Sequence, residues 1–162
     1  MKAVSAAQDF ESIKAGQALP PLTKEVTVEQ IQRYAAASGD RNPIHVDDTF
    51  ARSAGLPGVI AHGMLTMAFA NQMVTDWLGD RSMLKRLQGR FGAMVLPGDQ
   101  VTCSGGVTSK DDASRRVVIS LVVSNQRGEK VFTKGVAEAE FSPQISGPGV
   151  ERPRERSDTN AT

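Results

Sequence analysis

Asp40 and His45 stand five positions apart in the run Asp40-Arg41-Asn42-Pro43-Ile44-His45. A carboxylate and an imidazole on one stiffened loop can be aimed at a single water. Imidazole, with an ordinary pKa of about 6.5, is the side chain suited to taking and returning a proton near neutrality. The pair is therefore a candidate for acid/base chemistry on water. The same residues also satisfy a purely structural reading: Asp after a helix-ending Gly caps turns, Asn-Pro is ordinary turn chemistry, and a histidine can serve only to satisfy buried backbone. Residue types and spacing leave both readings open.

The elements that must position the pair follow from local patterns. Thr27 and Gln30 form a capping-box pattern, and Val28, Ile31, Tyr34, Ala35 and Ser38 recur at helical spacing until Gly39. A helix ending at Gly39 places Asp40 through His45 on an irregular, proline-stiffened loop, because Pro43 drives the residue before it out of the helical region. Asp47 and Asp48 open a brief helical stretch to Ala54, ended by Gly55 and Pro57. A central helix is expected over Gly63–Leu78, with Met64, Met67, Ala68, Asn71, Val74, Trp77 and Leu78 on one face and Gly79 closing it. The period then changes to that of strands at Leu87–Phe91, Gln100–Ser104, Arg116–Ser124 and Lys130–Phe141. They are separated by Pro97-Gly98-Asp99, Lys110-Asp111-Asp112 and Asn125–Glu129, with Arg127-Gly128 as a hairpin turn; Leu22–Val26 adds a first strand. Helices followed by hairpin-linked strands predict an α+β fold, one helix on a mostly antiparallel sheet.

Composition narrows the function classes. The 162 residues, 40% hydrophobic and 23% charged, suit one globular domain, expected over 1–141. Residues 142–162 combine Pro, Gly, Ser and mixed charge and are expected to form a disordered tail that the core can lose without unfolding. A net charge of +1 without a Lys/Arg block argues against a nucleic-acid partner. The first residues lack the pattern of a secretory signal, and Val59–Leu78 is broken by His62, Asn71, Gln72 and Asp76, too polar to cross a membrane. A cytoplasmic protein is expected. The lone Cys103 excludes an intrachain disulfide and, without an adjacent base, is read as buried and inert; two histidines offer no zinc-ligand spacing, so no metal is expected.

The segment Tyr34-Ala-Ala-Ala-Ser-Gly-Asp-Arg-Asn-Pro-Ile-His45 resembles the signature of MaoC-like dehydratases and R-specific enoyl-CoA hydratases. The resemblance extends to Val59-Ile-Ala-His-Gly-Met-Leu65, to Arg90-Phe91 and to Pro97-Gly98-Asp99. Its pattern is similar in particular to the catalytic subunit of mycobacterial-type 3-hydroxyacyl-carrier-protein dehydratases. It implies a single hotdog fold, in which an antiparallel sheet wraps one long helix. It also implies interconversion of (R)-3-hydroxyacyl and trans-2-enoyl thioesters of CoA or an acyl carrier protein, without any cofactor. By the resemblance, Asp40 and His45 are the catalytic residues, Asn42 and Pro43 brace the loop, and the Gly63 N–H meets the thioester carbonyl. That last role has independent physical sense, since a helix N-terminus offers unpaired donors where enolate charge develops. Asn71 stands where some short-chain hydratases carry a Ser, and is a candidate substrate contact.

His62 is expected to support the loop or touch substrate rather than act as the base. Met64, Met67 and Met73 are expected in the helix core. A lone hotdog copy implies pairing with a second copy or with another hotdog subunit. Rival functions are a hotdog thioesterase, a noncatalytic partner of a heterodimeric dehydratase, and a dehydratase or cyclase for a polyketide-like metabolite.

Overall fold

The structure is a computed structural model and describes residues 7–142. The expected tail lies outside the described residues except for Ser142. Helix α1, Val28–Ser38, begins as the capping box requires: Gln30 N–H donates to Thr27 Oγ1 and Thr27 N–H to Gln30 Oε1, both at 3.2 Å. It ends at Gly39, whose φ of 78° is the left-handed conformation that glycine adopts without penalty. Ile31 and Ala35 bury its inner face.

The expected irregular loop contains a helical turn. Asn42 is non-helical, as the position before proline demands, but this makes it an N-cap: its Oδ1 accepts from Ile44 N–H at 3.3 Å. Pro43, with φ already fixed, starts α2, Pro43–Val46, so His45 projects from a helix and not from loose chain. Asp47 then caps α3, Asp48–Ser53.

The central helix α4 spans Gly63–Leu78, closed by Gly79. Its buried face is Leu65, Thr66, Phe69, Ala70, Met73, Val74, Trp77 and Leu78, about one position round from the face expected. Ala68 and Asn71 are exposed, and so is Met64 at 52%. The helix is apolar on most sides, so periodicity alone could not choose which side meets the sheet.

Five strands form one antiparallel sheet in the order β1-β3-β4-β5-β2, with β1 Leu22–Glu25, β2 Leu84–Phe91, β3 Gln100–Asp111, β4 Arg116–Asn125 and β5 Lys130–Glu140. Helix α4 packs on all five, the hotdog arrangement. In β4 the alternation is plain: Val117, Ile119, Leu121 and Val123 point inward, each burial contributing about 1.5–3 kcal/mol. Strand β3 runs seven residues past its expected end at Ser104. Gly105 and Gly106 look like a break in sequence but are packing requirements, since a Cβ at Gly105 would meet the Ser120 carbonyl and the Leu121 side chain. Cys103 is fully buried there, and burial pushes its thiol up to about 12. Among the described residues no helix is long and apolar enough to cross a membrane.

The turn Pro97-Gly98-Asp99 is tied down twice. Gly98 N–H donates to Val26 O and Val26 N–H to Asp99 O, both at 2.8 Å. The Asp99 carboxylate, 4% exposed, accepts from Arg127 Nη1 (2.6 Å) and Nη2 (3.0 Å), Gln126 Nε2 (2.7 Å) and Leu96 N–H (2.9 Å). A buried carboxylate with a forked guanidinium and two further donors is a satisfied one. It locks the entry of β3 to the β4–β5 hairpin.

Candidate active site

Asp40 follows the cap of α1 and is held through its backbone more than its carboxylate. Its N–H donates to Ser38 Oγ at 3.2 Å, and its carbonyl accepts from the His62 ring Nε2 at 3.0 Å. One carboxylate oxygen accepts from Asn42 N–H at 3.2 Å, and the side chain is otherwise exposed. Asn42 thus joins Asp40 to His45: its N–H steadies the carboxylate and its side chain starts the turn that carries the imidazole.

His45, 9% exposed, is tethered to the segment leading into α4. Its Nδ1 lies 2.7 Å from Ile60 O, while Ile60 N–H donates to Ile44 O at 3.1 Å. A carbonyl can only accept, so Nδ1 carries a hydrogen and Nε2 is the ring nitrogen left for proton exchange. The imidazole is thereby set up as a base.

His62, 2% exposed, is the N-cap of α4 and stacks on His45 with ring centroids 3.8 Å apart and planes 25° from parallel. Tyr34 packs against His62 at 4.9 Å. Ligand-type atoms of Asp40, His45 and His62 all lie within 4.8 Å of one another. Lone pairs of imidazoles lie in the ring plane, so two nearly parallel rings cannot both aim one at a shared ion at ordinary bond lengths. The arrangement can pass a proton between its members.

Gly63 opens α4, and no acceptor among the described residues meets its N–H. Such a terminal N–H, reinforced by the helix dipole, suits a carbonyl oxygen gaining negative charge. The Phe91 ring lies over the glycine: a Cβ at position 63 would sit 3.0–3.2 Å from it. Phe91 is half exposed and can yield, so Gly63→Ala is expected to fold with a nearly unchanged melting temperature. It is also expected to lose about tenfold in kcat/KM as ring and backbone shift around the donor, equivalent to about 1.4 kcal/mol of barrier. Steady-state kinetics beside a melting curve checks both halves.

The structure brings Asp40, Asn42, Pro43, His45, His62 and Gly63 into one neighbourhood. Asn71 lies two helical turns beyond Gly63, exposed and outside the cluster of Asp40, His45 and His62. Three contributors had escaped a role. Tyr34 sits in the signature run but shows its purpose only through the His62 contact, Phe91 belongs to the resemblance at Arg90-Phe91 without an assigned role, and the Ile60 carbonyl has no side-chain signal at all.

A family model described as "MaoC like domain" matches residues 10–127. The fatty acid synthase subunit beta of Aspergillus oryzae is 37% identical over 110 residues, 66% of this chain; those residues are 5% of that relative, so the chain spans a small part of its length. Among solved structures, the (R)-hydratase from A. caviae involved in PHA biosynthesis superposes with a TM-score of 0.75 at 26% identity, covering 82% of this chain and 99% of that one. The ChsH1-ChsH2 complex from Mycobacterium tuberculosis contributes a chain with a TM-score of 0.71 at 26% identity, 80% and 98% covered. Hotdog proteins similar to this chain thus include one solved as a complex of two different subunits. Because the matched residues run from the first turn before β1 to the turn that follows β4, cover well over half of the chain and enclose every member of the cluster, the chain belongs to the MaoC-like domain family.

Proposed function

We propose that this chain is a hydro-lyase that interconverts trans-2-enoyl and (R)-3-hydroxyacyl thioesters. The observation that carries this reading is the His45 imidazole with Nδ1 committed to Ile60 O, clustered with the Asp40 carboxylate beside an unpaired helix N-terminus. In hydration, His45 Nε2 takes a proton from water as the water oxygen bonds to C3. The C2=C3 electrons move toward the carbonyl, whose oxygen is met by the Gly63 N–H. Asp40, the acid of the pair, then delivers a hydrogen to C2. One water is consumed, no electron is gained or lost, and the pair is reset when the proton on His45 returns to Asp40 through solvent. Dehydration runs the same steps backwards. The thiol carrier, CoA or the phosphopantetheine of a carrier protein, belongs to the substrate.

The test is loss of the enoyl-thioester ultraviolet band with the purified chain, on CoA and carrier-protein substrates of several lengths, with chiral analysis of product. Thiol trapping separates hydration from thioester hydrolysis. A well-folded protein inactive on every such substrate would remove the assignment.

Pairing with a second hotdog, of the same or another chain, is part of the proposal. Strand β2 is an open sheet edge, and Phe91 at its end, with Met64 and Met94, leaves large apolar side chains about half exposed. Uncovered edges and apolar surface favour a partner. Light scattering is expected to give a dimer or dimer of dimers, and an active monomer would exclude self-pairing as a requirement.

A further inference from the structure

His62 has one ring nitrogen at work and one idle. Nε2 faces the Asp40 carbonyl at 3.0 Å, so Nε2 carries a hydrogen. Nδ1 is buried and has no hydrogen-bond partner among the described residues. Were Nδ1 protonated as well, the ring would be a cation with a buried, unsatisfied donor; a bare lone pair there is far less costly. These contacts favour the Nε2–H tautomer of His62. His45, stacked on it at 3.8 Å, is fixed by the Ile60 carbonyl as the opposite tautomer.

We propose that His62 is a positioning residue for the acid/base pair: through its Nε2–H it holds the main chain of Asp40, and through its ring face it sets the plane of His45. The inference rests on the acid/base reading given above. One side chain thereby fixes both reacting groups, which come from different ends of the Asp40–His45 segment. His62 touches neither water nor substrate in this role. Its own placement is firm, since it is buried at the start of α4 with Tyr34 packed on its ring. Small displacements of a reacting group are costly to turnover, so the effect belongs in kcat more than in KM.

The chain has two histidines, so selective 15N-histidine labelling gives two ring systems, assigned by the one that His62→Gln removes. The expected spectrum of the substrate-free protein has His45 protonated at Nδ1 and His62 at Nε2. A shared tautomer, or a His62 ring averaging between forms, overturns the proposal. In kinetics, His62→Leu is expected to lower kcat at least about tenfold with KM changed much less. His62→Gln, whose amide nitrogen reaches where Nε2 was, is expected to recover most of that loss. Wild-type turnover in His62→Leu, or no recovery in His62→Gln, overturns it. If His62→Leu does not fold, the wild-type spectrum and the glutamine variant decide. A wild type that hydrates no enoyl thioester defeats the proposed reaction, whereas the tautomer measurement, made without substrate, still tests the positioning claim by itself.

Discussion

Asp40→Asn and His45→Gln are each expected to leave a folded protein that hydrates a short trans-2-enoyl-CoA at least about a hundredfold more slowly, the lower end for a positioned acid or base. Folding should survive because the local scaffold does not depend on either reacting function. Asn at position 40 still offers an oxygen to Asn42 N–H, and the Asp40 backbone bonds to Ser38 and His62 are untouched. Near position 45, the Ile60 N–H to Ile44 O bond remains. What disappears is a group able to give a proton in one variant and a lone pair able to take one in the other. Substrate binding should fall less than turnover, since the Gly63 donor is unchanged. Full activity in both folded variants would return Asp40 and His45 to the turn-forming, backbone-satisfying roles that their residue types also allow.

Acid should loosen the protein through Asp99, and Arg127→Met should remove most of that sensitivity. The Arg127 guanidinium, with the Gln126 amide and the Leu96 N–H, holds the Asp99 carboxyl down at about 2, against an ordinary value of 3.8. A lowered folded-state pKa means that the stabilisation is complete above the unfolded value of 3.8. It drains away as pH falls from there toward about 2. The amount at stake is about 2 kcal/mol, less at high salt because the Arg127 side chain is 45% exposed. Urea melts of wild type at pH 7 and pH 3 should differ by an appreciable part of this. The variant should start less stable at pH 7 and lose less on acidification. Parallel pH profiles for the two proteins would show that the clamp does not govern acid stability.

Much of the fold was legible because local signals agreed with the final packing. The capping box at Thr27 and Gln30, Gly39, Gly79 and the turn at Arg127-Gly128 act within a few residues, and each appears where its chemistry predicts. The errors came where tertiary contacts decide. Gly105 and Gly106 interrupt a strand pattern that the sheet continues through them, because β4 leaves no room for a side chain at Gly105 and the Gln17 backbone lies close over Gly106. The orientation of α4 could not be read from a helix apolar on most sides, and Met64 was assigned to a core it does not enter. At the site, Asp40 and His45 were visible as types at a spacing. The turn of helix under His45 was not, because Asn42-Pro43 serves equally as a turn and as a helix start. The stacked histidines join positions 17 residues apart in sequence, a relation that no local pattern encodes.

The acceptor that fixes the His45 tautomer is the main-chain carbonyl of Ile60, fifteen residues along the chain. Its chemistry is indifferent to what side chain stands at position 60, so substitutions there pass without touching the base. The quantity under constraint is the number of residues between 45 and 60, because the reciprocal bond from Ile60 N–H to Ile44 O fixes the same register. For protein engineering, exposed side chains of the intervening segment are open to change, whereas its length, the Asp47 cap, buried Ala51 and the positive-φ Gly55 and Gly58 are not. One residue inserted or deleted there would replace the carbonyl presented to Nδ1, a lesion that reverting no single side chain would repair.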